Sequence, residues 1–351
     1  MQREPFSMDY VLIVETKIIL EENMNRKKTL IFTISLCLIM ALFTGCKGGN
    51  DDNDGKLKIV TTVFPAYDWT ANVLGDKKKD ADLTMLLDKG VDLHSYQPTA
   101  DDIAKIAECD VFVYVGGESD GWVDDALKEA KNKKIKVINL MDVVGNKAKE
   151  EEVKEGMEPE KEEEHEEEGK EEKEYDEHIW LSLRNAKLCA TAIEKSIAEV
   201  DKDNKAVYKD NLGRYCKSLD ELDREYKDVV KNSENKTLIF GDRFPFRYMT
   251  SDYGLDYYAA FVGCSAETEA SFKTIKFLAA KMDETGAKSI MTIEGSNKKI
   301  AKTVLENTTA KNQEILEMNS MQSIKKADVD KGETYLGIMQ NNLEVLKKAL
   351  K

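Results

Sequence analysis

Short apolar or β-branched runs recur along this chain with helix-patterned stretches between them, and the recurrence breaks twice, at a charged stretch over 146–175 and at a purely helical one across residues 182–232. Before the breaks the runs are Lys56–Phe64, Thr84–Leu87, Val111–Val115 and Val137–Leu140. After them they are Thr237–Phe240, Tyr257–Val262, Ser289–Ile293 and Ile315–Met318. The run VFVYV at 111–115 is continuously apolar, as a parallel strand buried on both faces requires. Helix patterns fill the gaps: Ala66–Leu74, a helix opened by Thr99 with an acid three residues on, Val123–Ala130, Phe244–Thr250, Phe272–Thr285, Lys298–Glu306 and Thr334–Leu350. Alternation of this kind predicts an α/β protein with two doubly wound parallel-sheet lobes, 56–181 and 233–351. The stretch 182–232 carries no strand signal. Ser182 can cap a helix through Val200, Asp201–Asn204 interrupts it, and Tyr208, Leu212, Tyr215, Leu219, Leu222 and Tyr226 give a second helix an apolar face. That much helix reads as a connector, a strut between the lobes.

The first 46 residues stand apart. Met24-Asn25-Arg26-Lys27-Lys28 is basic, Thr29–Phe43 is apolar and uncharged, and Gly45-Cys46 precedes a polar linker at 47–55. The apolar run is shorter than the ~20 residues a spanning helix needs. This order is that of an export signal, with translation expected to start at Met24. It resembles a lipoprotein signal with Cys46 as the lipidated first residue of the mature chain, although Phe43 stands where leucine is more usual; an uncleaved membrane anchor is the alternative. Lipidation would tether the protein to the outer face of the cytoplasmic membrane. The net charge of −15 excludes nucleic acid as a partner, since binding it needs a basic face. Much of that charge lies in a Glu/Lys-rich loop at 146–175, too polar to offset its own ordering entropy and read as disordered. Cys109, Cys189, Cys216 and Cys264 have no C-x-x-C pair and no dense pattern, so they form no disulfide scaffold, though one bridge is compatible with an exported protein.

The chain has three histidines. His94 lies in a loop after the Thr84–Leu87 run, and His178 in Asp176-Glu177-His178-Ile179-Trp180-Leu181 just beyond the acidic loop. His165 sits inside that loop, which reads either as a weak metal collector or as a solvated spacer. Imidazole is the commonest transition-metal ligand near neutral pH, and ligands of open α/β sheets bind beyond the carboxyl ends of the strands. Phe240 runs into Gly241-Asp242-Arg243, Ile293 into Glu294, and Met318 into Asn319-Ser320. Facing lobes would therefore bring His94 and His178 against Glu294 and Asp242, a donor set suited to Zn²⁺ and acceptable to Mn²⁺. Each has a plainer role available: a turn residue for His94, a helix cap for Glu294, an ion pair with Arg243 or Arg247 for Asp242. Cys264 offers a soft ligand, but a thiol in such a place more often packs as a small hydrophobe. Asn319 is a poor ligand for zinc.

These segments together resemble the zinc or manganese substrate-binding lipoproteins of bacterial ABC importers. The resemblance rests on Leu93-His94-Ser95-Tyr96-Gln97-Pro98-Thr99, the charged insertion, Asp176–Leu181, Gly241-Asp242-Arg243-Phe244-Pro245-Phe246 and Gly263–Ser271. It implies two lobes joined by one long rigid helix, metal in the cleft between them, and delivery to a membrane permease driven by an ATPase. It also implies ligand roles for His94, His178 and Glu294. Members often carry a third histidine where this chain has Gly241, so the third ligand stays open between Asp242, a water and another group. A metal-dependent hydrolase would use the same ligands with an open position, but H-E-x-x-H, G-x-S-x-G and P-loop motifs are absent from the sequence. A surface adhesin with a structural metal is the third alternative; its metal would be needed for folding.

Overall fold

The computed structural model describes residues 55–158, 174–265 and 269–351. Cys46, residues 47–54 of the linker, and residues 159–173 of the loop read as disordered, with His165, lie outside them. Among the described residues are two four-stranded, all-parallel sheets with the same internal order. The first comprises β1 (Leu57–Thr61), β2 (Ala81–Met85), β3 (Val111–Tyr114) and β4 (Lys136–Asn139), arranged β2-β1-β3-β4. The second comprises β5 (Thr237–Phe244), β6 (Asp256–Val262), β7 (Ser289–Ile293) and β8 (Glu314–Met318), arranged β6-β5-β7-β8. In each, the strand order reverses beside the first strand, which opens a crevice at the carboxyl ends.

Local chemistry explains the elements. Phe112 and Val113 are fully buried, as their apolar run predicts. In β5 the alternation of side chains splits the core: Leu238 and Phe240 join the main cluster, while Ile239 joins a smaller one with Phe261, Leu278 and Ile290. Both faces of the second sheet are therefore covered. Helix α2 (Ala100–Glu108) starts with the expected capping box: the Thr99 hydroxyl accepts from the Asp102 N–H at 3.2 Å and the Asp102 carboxylate accepts from the Thr99 N–H at 2.9 Å.

The connector is two helices, α5 (Leu183–Val200) and α6 (Lys205–Lys231), with Ser182 capping the first through the Asn185 N–H. They pack on each other, and both pack on α1 (Phe64–Leu74) of the first half. Helix α6 continues to the second half, where it meets α7 (Arg247–Tyr253) and the last helix, α11 (Tyr335–Ala349), while α5 reaches that half at its start, where Arg184 donates to the Asp252 carboxylate and carbonyl. Tyr335 in turn meets Trp69 of α1 edge-on at 5.4 Å, so one main core runs through both halves.

Three expectations need correction. Strand β2 starts at Ala81, not Thr84: its first three residues are partly or wholly exposed and include the charged Asp82, so hydrophobicity hid it. Strand β5 continues past Phe240 to Phe244 through an irregularity between Phe240 and Arg243, so Asp242 sits on a bulge rather than beyond the strand, and the helix starts at Arg247. The acidic insertion is anchored at both ends. Glu151 donates to the Glu174 carbonyl, Asp176 to that of Lys149, and Glu158 to that of Ala260. Met157 is buried against the fold, and Glu158 bridges to Phe261 along the outer edge of β6. Backbone pairing to that strand edge orders a segment whose side chains give no sign of it. Two short helices, α4 (Leu140–Val144) and α10 (Lys326–Asp330), were not legible.

Candidate metal centre

His94 is held by its own turn. Beyond β2 the chain stays extended, with the Leu86 and Leu87 N–H groups donating to the Thr61 and Thr62 carbonyls. The Asp92 carboxylate then accepts from the His94 N–H at 3.1 Å, and Leu93 anchors the turn by burial. His94 Nδ1 faces Ser119 Oγ at 2.8 Å and Glu177 Oε2 at 3.8 Å; Glu177 Oε1 fixes Ser119 by accepting its backbone N–H at 2.8 Å.

His178 is held more tightly and is fully buried. Asp176 Oδ1 accepts from both its backbone N–H, at 2.8 Å, and its Nδ1, at 2.9 Å. Tyr248 donates to the Asp176 carbonyl, Trp180 packs edge-on against the imidazole at 5.3 Å, and Trp180 Nε1 donates to the Ser320 carbonyl across the cleft. A proton on Nδ1 suits the oxygen that each ring faces there, which leaves both Nε2 lone pairs free.

Those two Nε2 atoms are 3.2 Å apart. Two lone pairs so close repel unless something electropositive lies against both. Here that is the Gln322 amide nitrogen, at 3.2 Å from His94 Nε2 and 2.5 Å from His178 Nε2. Ser320 Oγ lies 3.1 Å from Gln322 Oε1 and 2.7 Å from Glu294 Oε1, with one proton to share between those two oxygens. The amide presents two N–H donors where a cation would draw the same two lone pairs. Burial, then the neighbouring His178, pushes the His94 pKa from 6.5 down to about 3, so this ring is neutral at physiological pH.

The second half supplies the opposite wall of a cavity of about 490 Å³, lined among others by Asp92, His94, Asp242, Cys264 and Glu294. Glu294 is engaged within its own half: its carboxylate accepts from the Ser320 N–H and Oγ, both at 2.7 Å, and from the Gln322 N–H at 3.2 Å. Burial nonetheless raises its pKa above the ordinary glutamate value. Asp242 accepts from the Arg243 N–H, and its other oxygen, Oδ2, is buried with no hydrogen-bond partner. Arg243 reaches across to Asp92 at 2.6 Å; burial raises the Asp92 pKa, but the guanidinium outweighs it and holds the carboxyl below its usual range. Asn319 accepts from the Met321 N–H and bonds Asn342, a turn-forming role.

Among the described residues, one cluster of three donors fits a single ion: a ring nitrogen from His94, one from His178, and Cys264 Sγ, all within 4.8 Å of one another. Glu294 and Asp242 share the cavity but not this cluster. Cys264 is a free, half-exposed thiol whose pKa burial raises well above the ordinary value. Sequence reasoning paired the two histidines; it passed over Ser119 and Gln322. Gln322 lies only two residues beyond the Asn319-Ser320 strand end, but nothing in its type distinguishes it from a surface glutamine.

Comparison with known proteins shows the family to which the chain belongs. A family model described as zinc-uptake complex component A, periplasmic, matches residues 59–349. The high-affinity zinc uptake system protein ZnuA of Bacillus subtilis is 33% identical over 330 residues, 93% of this chain and 99% of that protein. The zinc-binding lipoprotein AdcA of Streptococcus pneumoniae strain R6 is 30% identical over 322 residues, 92% of this chain but 61% of AdcA, so the chain spans about three fifths of that relative. The crystal structure of the Zn(II)-bound ZnuA-like domain of Streptococcus pneumoniae AdcA superposes with a TM-score of 0.65 at 28% identity, covering 84% of this chain and 99% of that one.

Proposed function

Because the chain belongs to the ZnuA family of zinc-uptake complex components, we propose that it captures Zn²⁺ outside the cytoplasm and delivers it to an ABC importer. It is a carrier, not an enzyme: the ion is bound and released unchanged. The observation that carries the reading is the 3.2 Å approach of His94 Nε2 to His178 Nε2, two ring nitrogens from separate loops aimed at one point. Nitrogen–zinc bonds of about 2.0–2.1 Å let both reach one ion. Glu294 and Asp242 line the same cavity and are the acidic groups able to join the coordination or offset its charge as the halves adjust. The partners are a permease and its ATPase, and the protein acts as a monomer tethered through lipid on Cys46. The basic-apolar-Gly-Cys order at 24–46 supports that anchor, as does a relative named a lipoprotein.

The test is chelator competition. His94→Ala should weaken Zn²⁺ binding by at least ~100-fold, since losing one of few nitrogen ligands costs several kcal/mol. An unchanged affinity would take His94 out of the site and this function with it.

A further inference from the structure

We propose that the Cys264 thiolate is the third protein donor to the captured zinc, so that this chain binds the ion through two nitrogens and one sulfur. The proposal rests on the reading of the cleft as a zinc site and identifies a ligand for it.

Three observations converge on Cys264. First, its Sγ and one nitrogen of each histidine already lie within 4.8 Å of one another. Zinc bonds of about 2.0–2.1 Å to nitrogen and about 2.3 Å to sulfur, at a tetrahedral angle, set N···S near roughly 3.5 Å. An inward movement of about an ångström therefore completes the set. Second, the other candidate positions lie outside that cluster, Asp242 included, although its Oδ2 has no hydrogen-bond partner. A Cβ added at Gly241 would lie 2.6 Å from the Ala301 Cα and 2.9 Å from its backbone nitrogen, so no side chain can project there. Both Glu294 oxygens are bonded to the Ser320–Gln322 turn. Third, the loop is shaped for the approach. A Cβ on Gly263 would lie 3.0 Å from His178 Cε1, so a glycine just before Cys264 is what lets this loop close on the imidazole.

The chemistry balances without a redox partner. The S–H bond breaks, its proton leaves to solvent, and the sulfur lone pair forms the S–Zn bond. Gln322 withdraws its amide from the two imidazoles as the ion enters. Thiolate is a soft donor that favours zinc over manganese, which restores zinc preference to a site with only two histidines.

Cobalt(II) is the probe. Cobalt-loaded protein should show an intense near-ultraviolet thiolate-to-cobalt charge-transfer band beside the visible bands of a tetrahedral site. In Cys264→Ser the charge-transfer band should vanish, the visible bands should persist, and Zn²⁺ affinity should fall about 10- to 100-fold. Zn²⁺ should also protect Cys264 of the wild-type protein from iodoacetamide, as read by peptide mass, a measurement that needs no variant to fold. Visible cobalt bands without the charge-transfer band, or alkylation unchanged by zinc, overturns the sulfur donor and leaves the zinc site standing. Failure of the wild-type protein to bind either ion overturns the zinc reading itself.

Discussion

The two sheets share one strand order, yet they meet the cleft differently. The loops of the first present two imidazoles whose outer nitrogens are already fixed by Ser119 and Asp176 and whose inner nitrogens converge on one point, where the Gln322 amide now sits. The loops of the second present groups largely engaged with one another, Glu294 with the Ser320–Gln322 turn and Asp242 with Arg243. One wall is preorganised and the other must exchange partners. Identical topology therefore fixes where donors can stand, and the hydrogen bonds behind each donor decide whether it is ready.

The sharpest break of that contrast lies within the first wall. His178→Ala should lower Zn²⁺ affinity at least ~100-fold and, by leaving the buried Asp176 carboxylate short of a donor, destabilise the metal-free protein by about 1–3 kcal/mol. His94→Ala, at a partly exposed turn, should leave the metal-free unfolding free energy, read from urea titration, within about 0.5 kcal/mol of wild type. Equal destabilisation by both would show that the two rings are held alike.

Acid should have a smaller effect. His94 has its pKa lowered from 6.5 to about 3 in the fold, so the unfolded chain binds the extra proton first. Its contribution to stability is complete above 6.5 and is lost as pH falls toward about 3. Asp68 and Asp120 work in the opposite sense: burial raises both from 3.8 to about 6, so their share is complete below 3.8 and is lost as pH rises through 6. His94→Gln should flatten the acid limb of metal-free stability, measured as urea midpoints from pH 7 to 4. An unchanged limb would mean that the ring titrates normally.

The smallest effect belongs to the Arg243–Asp92 pair, which ties the two walls at 2.6 Å but is about one fifth exposed on each side. Arg243→Ala should cost no more than about 1 kcal/mol of stability, with the loss shrinking at high salt. A salt-insensitive loss of several kcal/mol would mark it as a buried structural pair instead.

Much of this was legible because the signals were local. The run VFVYV, the Thr99-Asp102 cap and the spacing of Tyr208, Tyr215, Leu219 and Tyr226 report burial and helix ends directly, and each stands in the structure as read. The two histidines could be paired because strand ends define where ligands gather. What escaped was set by tertiary contact. The charged start of β2 is a strand because Ile59 and its neighbours offer it an edge. The stem of the acidic insertion is ordered by an outer strand more than a hundred positions away. The bulge that carries Asp242 has no composition of its own. Cys264 was visible but was assigned to the core, since nothing in Gly-Cys-Ser says that an imidazole lies against it.

The tight seating of Gly241 against Ala301 also bears on how such a site can change over time. A histidine cannot be placed at 241 by one substitution, because even its first carbon would overlap the helix behind it. That helix, Lys299–Glu306, would have to shift first, and the shift brings no benefit until the histidine arrives. The cleft can therefore be retuned at its loops, while position 241 is closed to any side chain until that helix moves.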